Sequence, residues 1–197
     1  MANTNIFQDL AAGKPGSIAP HHIISARQWF RQAAQDITKI NPNTLLRKMA
    51  GSLVNNINIS SVGSMFLFRY DPKTKETLPF YDTYPLIFMV EIYNDGFSGI
   101  NLHYLPPLLR AKLMDALYGI TLKHKDKMKI QISYDILNNA RRFRLFKPCY
   151  KRYLSTHLQS KLLFIEQDKW DMAMSLPLQR FHKASEEQVW AHSSKVF

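Results

Sequence analysis

Only one cysteine occurs in the 197 residues of the chain. Cys149 therefore has no partner for an internal disulfide, and no second thiol lies near it to build a thiolate metal site. Its expected role is that of a small buried apolar side chain. Long apolar runs are absent too: stretches such as Leu86 to Val90 fall far short of the roughly twenty residues a membrane helix needs. The N-terminus has no basic region followed by an apolar core, so a soluble, unsecreted chain with no membrane partner is expected. Glycine-rich phosphate loops, nucleophile elbows and paired Cys/His arrangements are all missing. The seven histidines are scattered, and the adjacent pair His21 and His22 point apart on an extended or helical arm, which argues against a shared metal. Asp71, Asp82, Glu91 and Asp95 are candidates for a two-metal nuclease cluster. However, Asp71 and Asp95 have turn roles, and no lysine stands two residues after Glu91. No catalytic residue, no metal and no small-molecule cofactor is expected, and the chain reads as a non-enzyme.

Acidic residues are also few: 15 Asp and Glu against 26 Lys and Arg, for a net charge of +11. The excess is concentrated. Between Lys123 and Arg152 stand Lys123, Lys125, Lys127, Lys129, Arg141, Arg142, Arg144, Lys147, Lys151 and Arg152, opposed only by Asp126 and Asp135. A phosphate-rich partner is the first inference from such a segment, with DNA, RNA and an acidic protein surface all open on charge alone. Phe143, Phe146, Tyr150 and Tyr153 are interleaved with the charges and suit either stacking on bases or anchorage in a core. These ten basic residues are the candidate DNA-binding site. The competing reading is a solvated face or one that pairs with neighbouring subunits.

With 46% hydrophobic residues the chain has ample material for a core, and its length fits one domain or one domain with an embellishment. Residues 1–22, rich in Ala, Gly, Pro and Asn and without periodicity, read as a flexible or partner-bound arm. Residues 23–197 read as a single α+β domain, opened by a helical pair over 25–58. Ser25 and Gln28 form a capping box for the first helix, and Trp29, Phe30, Ala33, Ala34 and Ile37 recur at helical spacing until Asn41-Pro42. The second helix begins near Asn43 or Thr44, with Leu46, Met49, Ala50, Leu53, Val54 and Ile57 on one face.

From Ser64 to Asn101 the pattern changes to short aromatic and β-branched runs: Met65 to Tyr70, Leu86 to Glu91 and Gly96 to Ile100. Asp71-Pro72-Lys73-Thr74 supplies one turn, and Asn94-Asp95-Gly96 is expected to supply the left-handed geometry of a tight hairpin. The expected product is a small bent antiparallel sheet or SH3-like barrel with peripheral helices. Pro106-Pro107 opens a further helix that ends near Gly119. Lys127 to Ser133 alternates as a strand, Asp135 to Ala140 is helical, and Pro148 opens a helix with Lys151 and Arg152 turned away from Tyr153, Leu154 and Leu158. Leu162 to Ile165 is a buried strand, followed by a short helix carrying Trp170, Ala173 and Met174. Ser185 and Gln188 then cap a last helix bearing Val189 and Trp190.

The most specific string runs Tyr70-Asp71-Pro72-Lys73-Thr74-Lys75-Glu76-Thr77-Leu78-Pro79-Phe80-Tyr81-Asp82-Thr83-Tyr84-Pro85-Leu86. It continues through Asp95-Gly96-Phe97-Ser98-Gly99-Ile100-Asn101-Leu102-His103-Tyr104-Leu105-Pro106-Pro107 to Arg110-Ala111-Lys112-Leu113. This pattern resembles the DNA end protector proteins of T-even-like tailed bacteriophages. The resemblance extends through Cys149 to Leu154 and on to Phe181-His182-Lys183-Ala184-Ser185, leaving the arm outside it. It implies a virion protein, carried into the host cytoplasm at infection, that caps the ends of packaged linear double-stranded DNA and denies host exonuclease access to them. No binding residue transfers from the family, so the ten basic side chains remain the candidates. The residues of the string itself have sufficient structural roles, and His103, at a strand end, is expected to be a hydrogen-bonded structural histidine rather than an acid or base.

The rival reading is a structural assembly protein of the phage neck, tail or baseplate, in which residues 1–22 and the basic face contact other virion subunits. An end protector needs its basic face free for DNA, whereas an adaptor buries it against acidic subunits. A ribonuclease of the SH3-like toxin type would need an acid/base pair beside the basic face, and none stands out.

Overall fold

The computed structural model describes residues 42–43, 53–54, 57–58, 61–106, 110, 147–166 and 170–195. Their centre is a strand with no polar residue in its first five positions. β4 (Leu86–Tyr93) alternates Leu86, Phe88 and Val90 toward one hydrophobic cluster with Ile87 and Met89 toward another. A strand covered on both faces reads as a continuous apolar run rather than an alternation. It lies inside a six-stranded antiparallel sheet with β1 (Leu53–Val54), β2 (Met65–Leu67), β5 (Gly96–Asn101), β6 (Tyr150–Leu154) and β7 (Leu162–Ile165), in the order β1-β7-β2-β4-β5-β6. A second sheet pairs β3 (Tyr81–Asp82) with β8 (Phe181–His182).

The larger cluster packs Met65, Phe88, Ile100 and Leu163 of the sheet against Trp170, Met174 and Val189, which belong to α1 (Trp170–Ser175) and α2 (Glu186–Lys195). The smaller one is aromatic: Phe68 meets Tyr153 edge-on at 5.1 Å and Phe97 at 5.5 Å between ring centroids. Phe68, Phe88 and Phe97 are fully buried, each worth about 1.5–3 kcal/mol of hydrophobic stabilisation. α2 starts as its sequence requires. The Gln188 N–H donates to Ser185 Oγ, and the Ser185 N–H donates to Gln188 Oε1, closing a capping box with Glu186 and Glu187 in the first turn.

The antiparallel α+β expectation holds, but no barrel closes among the described residues: β1 and β6 lie at opposite margins of an open sheet. Three local expectations are corrected. Leu53 and Val54, placed by periodicity on a helix face, form β1 and pair with Leu163 and Leu162, because tertiary pairing overrides a helical pattern at its end. Pro42 and Asn43 are helical; residues 1–41 lie outside the described residues, as do Lys127 to Ser133 and Asp135 to Ala140. Pro148 opens no α-helix: Lys147–Cys149 is a single 3-10 turn, and the chain then enters β6. In Tyr150-Lys151-Arg152-Tyr153-Leu154 a period of two fits as well as a helical one, and the ladder to β5, with Phe97 opposite Tyr153 and Ser98 opposite Arg152, decides between them.

The third correction concerns Gly96. The β4–β5 hairpin forms around Asn94-Asp95, yet only Gly63, at φ 81°, and Lys183, at φ 69°, take positive φ among the described residues. Gly96 is needed for space instead. A Cβ there would lie 2.0 Å from the Tyr153 carbonyl oxygen and 3.0 Å from Leu154 Cα, so the close approach of β6 admits only glycine.

Candidate nucleic-acid interface

Of the ten basic candidates, Lys123, Lys125, Lys127, Lys129, Arg141, Arg142 and Arg144 lie outside the described residues. The other three sit at β6 and do not converge. Lys147 is exposed in the turn that precedes the strand. Lys151 and Arg152 are consecutive strand residues and so leave opposite faces. The Lys151 ammonium is half-buried 4.2 Å over the Tyr104 ring, and its burial lowers its pKa. Arg152 is exposed, stacks 3.5 Å over the Tyr93 ring and pairs with Asp95 at the hairpin tip. Tyr93 in turn donates its hydroxyl to Glu91 at 2.6 Å. This corner sets one cation among two carboxylates, with a cation–π contact fixing the arginine.

The acidic candidates are dispersed as well. Asp71 pairs with Lys75 at 3.0 Å, Asp95 with Arg152, and Glu91 accepts from Tyr93. Asp82 is buried: Oδ2 lies 2.6 Å from His103 Nδ1, and Oδ1 accepts the backbone N–H groups of Tyr84 and Arg180 at 3.0 and 3.1 Å. Asn101 adds a bond to Asp82 at 3.4 Å and one to the Tyr153 hydroxyl at 3.2 Å. His103, in the 3-10 turn Leu102–Tyr104 that follows β5, is thus a hydrogen-bonded structural histidine, and it is fully buried. Its Nε2 is buried without a partner among the described residues.

Burial raises the Asp82 carboxyl, but the His103 ring and the two backbone donors outweigh it, so its pKa ends below 3.8. Burial lowers His103 below 6.5 against the opposing pull of Asp82. An ionised carboxylate therefore faces a neutral imidazole donating through Nδ1–H. Beside them Arg110, only 4% exposed, donates to the carbonyls of Leu105, Met174 and His103 at 2.8, 3.3 and 3.3 Å. Its burial lowers its pKa to about 10, which leaves it charged at neutral pH. With both side chains of the Asp82–His103 pair sealed from solvent, this polar network ties β3, β5 and β8 together and presents no reactive group to a substrate.

A second basic and aromatic cluster is assembled only by the fold. On the β3–β8 ribbon Tyr81 stands opposite His182, their rings parallel within 5° and 5.1 Å apart. Asp82 and Phe181 occupy the inward positions, Phe181 against Tyr104 at 5.2 Å. Exposed Arg180 and Lys183 flank the pair. Two basic residues beside one histidine make no run, so the charge pattern along the chain does not mark them.

Comparison with known families matches residues 26–196 to the model described as phage T4 terminal DNA protecting protein. The chain belongs to that family. No curated protein and no solved structure matches it. The match spans every described element and begins beyond residues 1–22. Membership makes this a bacteriophage protein of a group that protects terminal DNA. Protecting an end is an act of binding, which fits a family defined by protection rather than by a reaction. No helix among the described residues is long and apolar enough to cross a membrane.

Proposed function

We infer that this chain is carried in the virion and enters the host cytoplasm with the genome. There it binds the ends of the linear double-stranded DNA and shields them from host exonuclease. The family match over residues 26–196 carries the reading, and the net charge of +11 supports it. Basic side chains held on a folded scaffold neutralise backbone phosphates without reading bases, which suits a protein that must accept any terminal sequence. The phosphate contacts are assigned to Lys123, Lys125, Lys127, Lys129, Arg141, Arg142, Arg144 and exposed Lys147. Arg152, held by Asp95 and Tyr93, and half-buried Lys151 are the weakest members of the set.

The test is fluorescence-anisotropy binding of the full chain to short open duplexes and to closed dumbbells across a salt series, followed by an exonuclease challenge. Preference for open duplexes together with protection is the expected result. Reversal of Arg141, Arg142 and Arg144 to Glu is expected to weaken binding to every sequence alike and to flatten the salt slope by roughly one unit per lost phosphate contact. Absence of binding near physiological salt would overturn the reading in favour of an assembly protein of the neck, tail or baseplate whose basic face docks on acidic subunits.

A further inference from the structure

Phosphate contacts hold a duplex but do not tell an end from an interior, because both present the same backbone. What an end alone presents is the flat π-face of its last base pair. We propose that the outward face of the β3–β8 ribbon is a stacking platform for that terminal base pair, with the His182 ring as the contacting surface. This rests on the DNA-end reading above and names the element that recognises the end.

Four observations carry it. His182 is exposed, and one face of its ring is taken by Tyr81, its ring neighbour among the described residues. No second ring packs on His182 among the described residues, so a base would extend the stack on the face opposite Tyr81. The outward positions of the ribbon, Tyr81 and Thr83 opposite Arg180 and His182, hold no carboxylate, since Asp82 points inward to His103. Arg180 is exposed, and only one of its terminal nitrogens is used, donating to the carbonyls of Pro177 and Gln179. Its Nε and second terminal nitrogen have no acceptor among the described residues and suit a phosphate beside the last pair. The ribbon is also held in place. Both the N–H and the hydroxyl of Thr83 donate to the Arg180 carbonyl, at 3.0 and 3.1 Å. Lys183, at φ 69°, spends its ammonium on the carbonyls of Lys75, Glu76 and Leu78 at 2.7, 2.9 and 3.2 Å. A platform fixed before binding loses little entropy when the base arrives, and stacking tolerates every base because each has a π-face.

The experiment places 2-aminopurine at the terminal position of a blunt duplex, or at an internal position of a closed dumbbell, and adds the full-length chain. Its emission is expected to fall at the terminal position and to stay unchanged internally. His182→Ala is expected to abolish the terminal quench and to weaken open-duplex binding by roughly 5- to 100-fold, with dumbbell affinity and melting temperature unchanged. His182→Trp, which restores a larger ring, is expected to restore the quench. If wild-type protein binds duplex but His182→Ala keeps both its affinity and its quench, the platform is refuted while DNA binding stands. If wild-type protein binds neither DNA, the end-protection reading itself fails and the platform with it.

Discussion

Among the described residues, lowering the pH from about 7.5 to about 5 perturbs the interior through the buried Asp82–His103 pair. Asp82 and His103 are 1% and 0% exposed and 2.6 Å apart. The folded protein keeps His103 neutral because burial holds its pKa below 6.5. In the unfolded chain the same imidazole takes up a proton near its ordinary value of 6.5. The unfolded state therefore binds more protons, and stability falls as the pH drops below that value. The slope from this one site approaches about 1.4 kcal/mol per pH unit while the unfolded ring is charged and the folded one is not. Of the charges facing His103, Asp82 and Glu186 favour protonation and Arg110 opposes it, with burial dominant. Asp82 acts lower on the scale. Its folded pKa lies below 3.8, so its contribution is present above the unfolded value and is lost as the pH falls through the folded one. The assay is urea unfolding at half-unit pH steps for wild type and His103→Gln, which keeps an amide donor for Asp82 but does not titrate. The variant is expected to be less stable at neutral pH and to show a flatter profile between about pH 6.5 and pH 5, since the remaining histidines cancel in the comparison. Parallel profiles in that window, or a wild type that gains stability as the pH falls, would refute the neutral-imidazole assignment.

Gly96→Ala is expected to cost about 3 kcal/mol or more, because its Cβ would overlap the Tyr153 carbonyl at 2.0 Å. A loss below about 1 kcal/mol in thermal melting would mean that β6 can draw away from β5. Cys149 is fully buried, and burial pushes its thiol pKa up to about 12. Iodoacetamide is therefore expected to leave it unlabelled in the native protein and to label it after unfolding. Rapid native labelling would show that the 3-10 turn opens.

The sequence made β2, β4, β5, β7, α1 and the capped start of α2 legible because each rests on local evidence. Apolar runs of strand length stand between turn residues, and Ser185 stands three residues before Gln188. It was silent or misleading where the deciding partner lies far along the chain. β1 exists because Leu53 finds Leu163, and β6 is a strand because Tyr153 finds Phe97. Gly96 was assigned to a left-handed turn when the true demand came from the neighbouring strand. The site divides in the same way. The charge cluster was visible as a run, but not that Arg152 would be neutralised by Asp95 and Lys151 half-buried over Tyr104. The ribbon, built from Tyr81 and His182 at distant positions, left no pattern to find.

Among the described residues the central strands of the sheet are covered on both faces by hydrophobic clusters, so they leave no open sheet face to a duplex. The two contacts proposed for DNA differ in chemistry. A phosphate contact raises affinity for open and closed DNA alike and steepens the salt dependence, whereas a stacking contact raises affinity only for ends and barely changes that dependence. Reversal of Arg141, Arg142 and Arg144 should therefore change the slope of binding against salt and leave the ratio of open to closed affinity standing. His182→Ala should do the opposite. In the double variant, two independent contacts predict losses that add on a free-energy scale. A marked departure from additivity would mean that the basic segment and the ribbon form one continuous surface on the same DNA end.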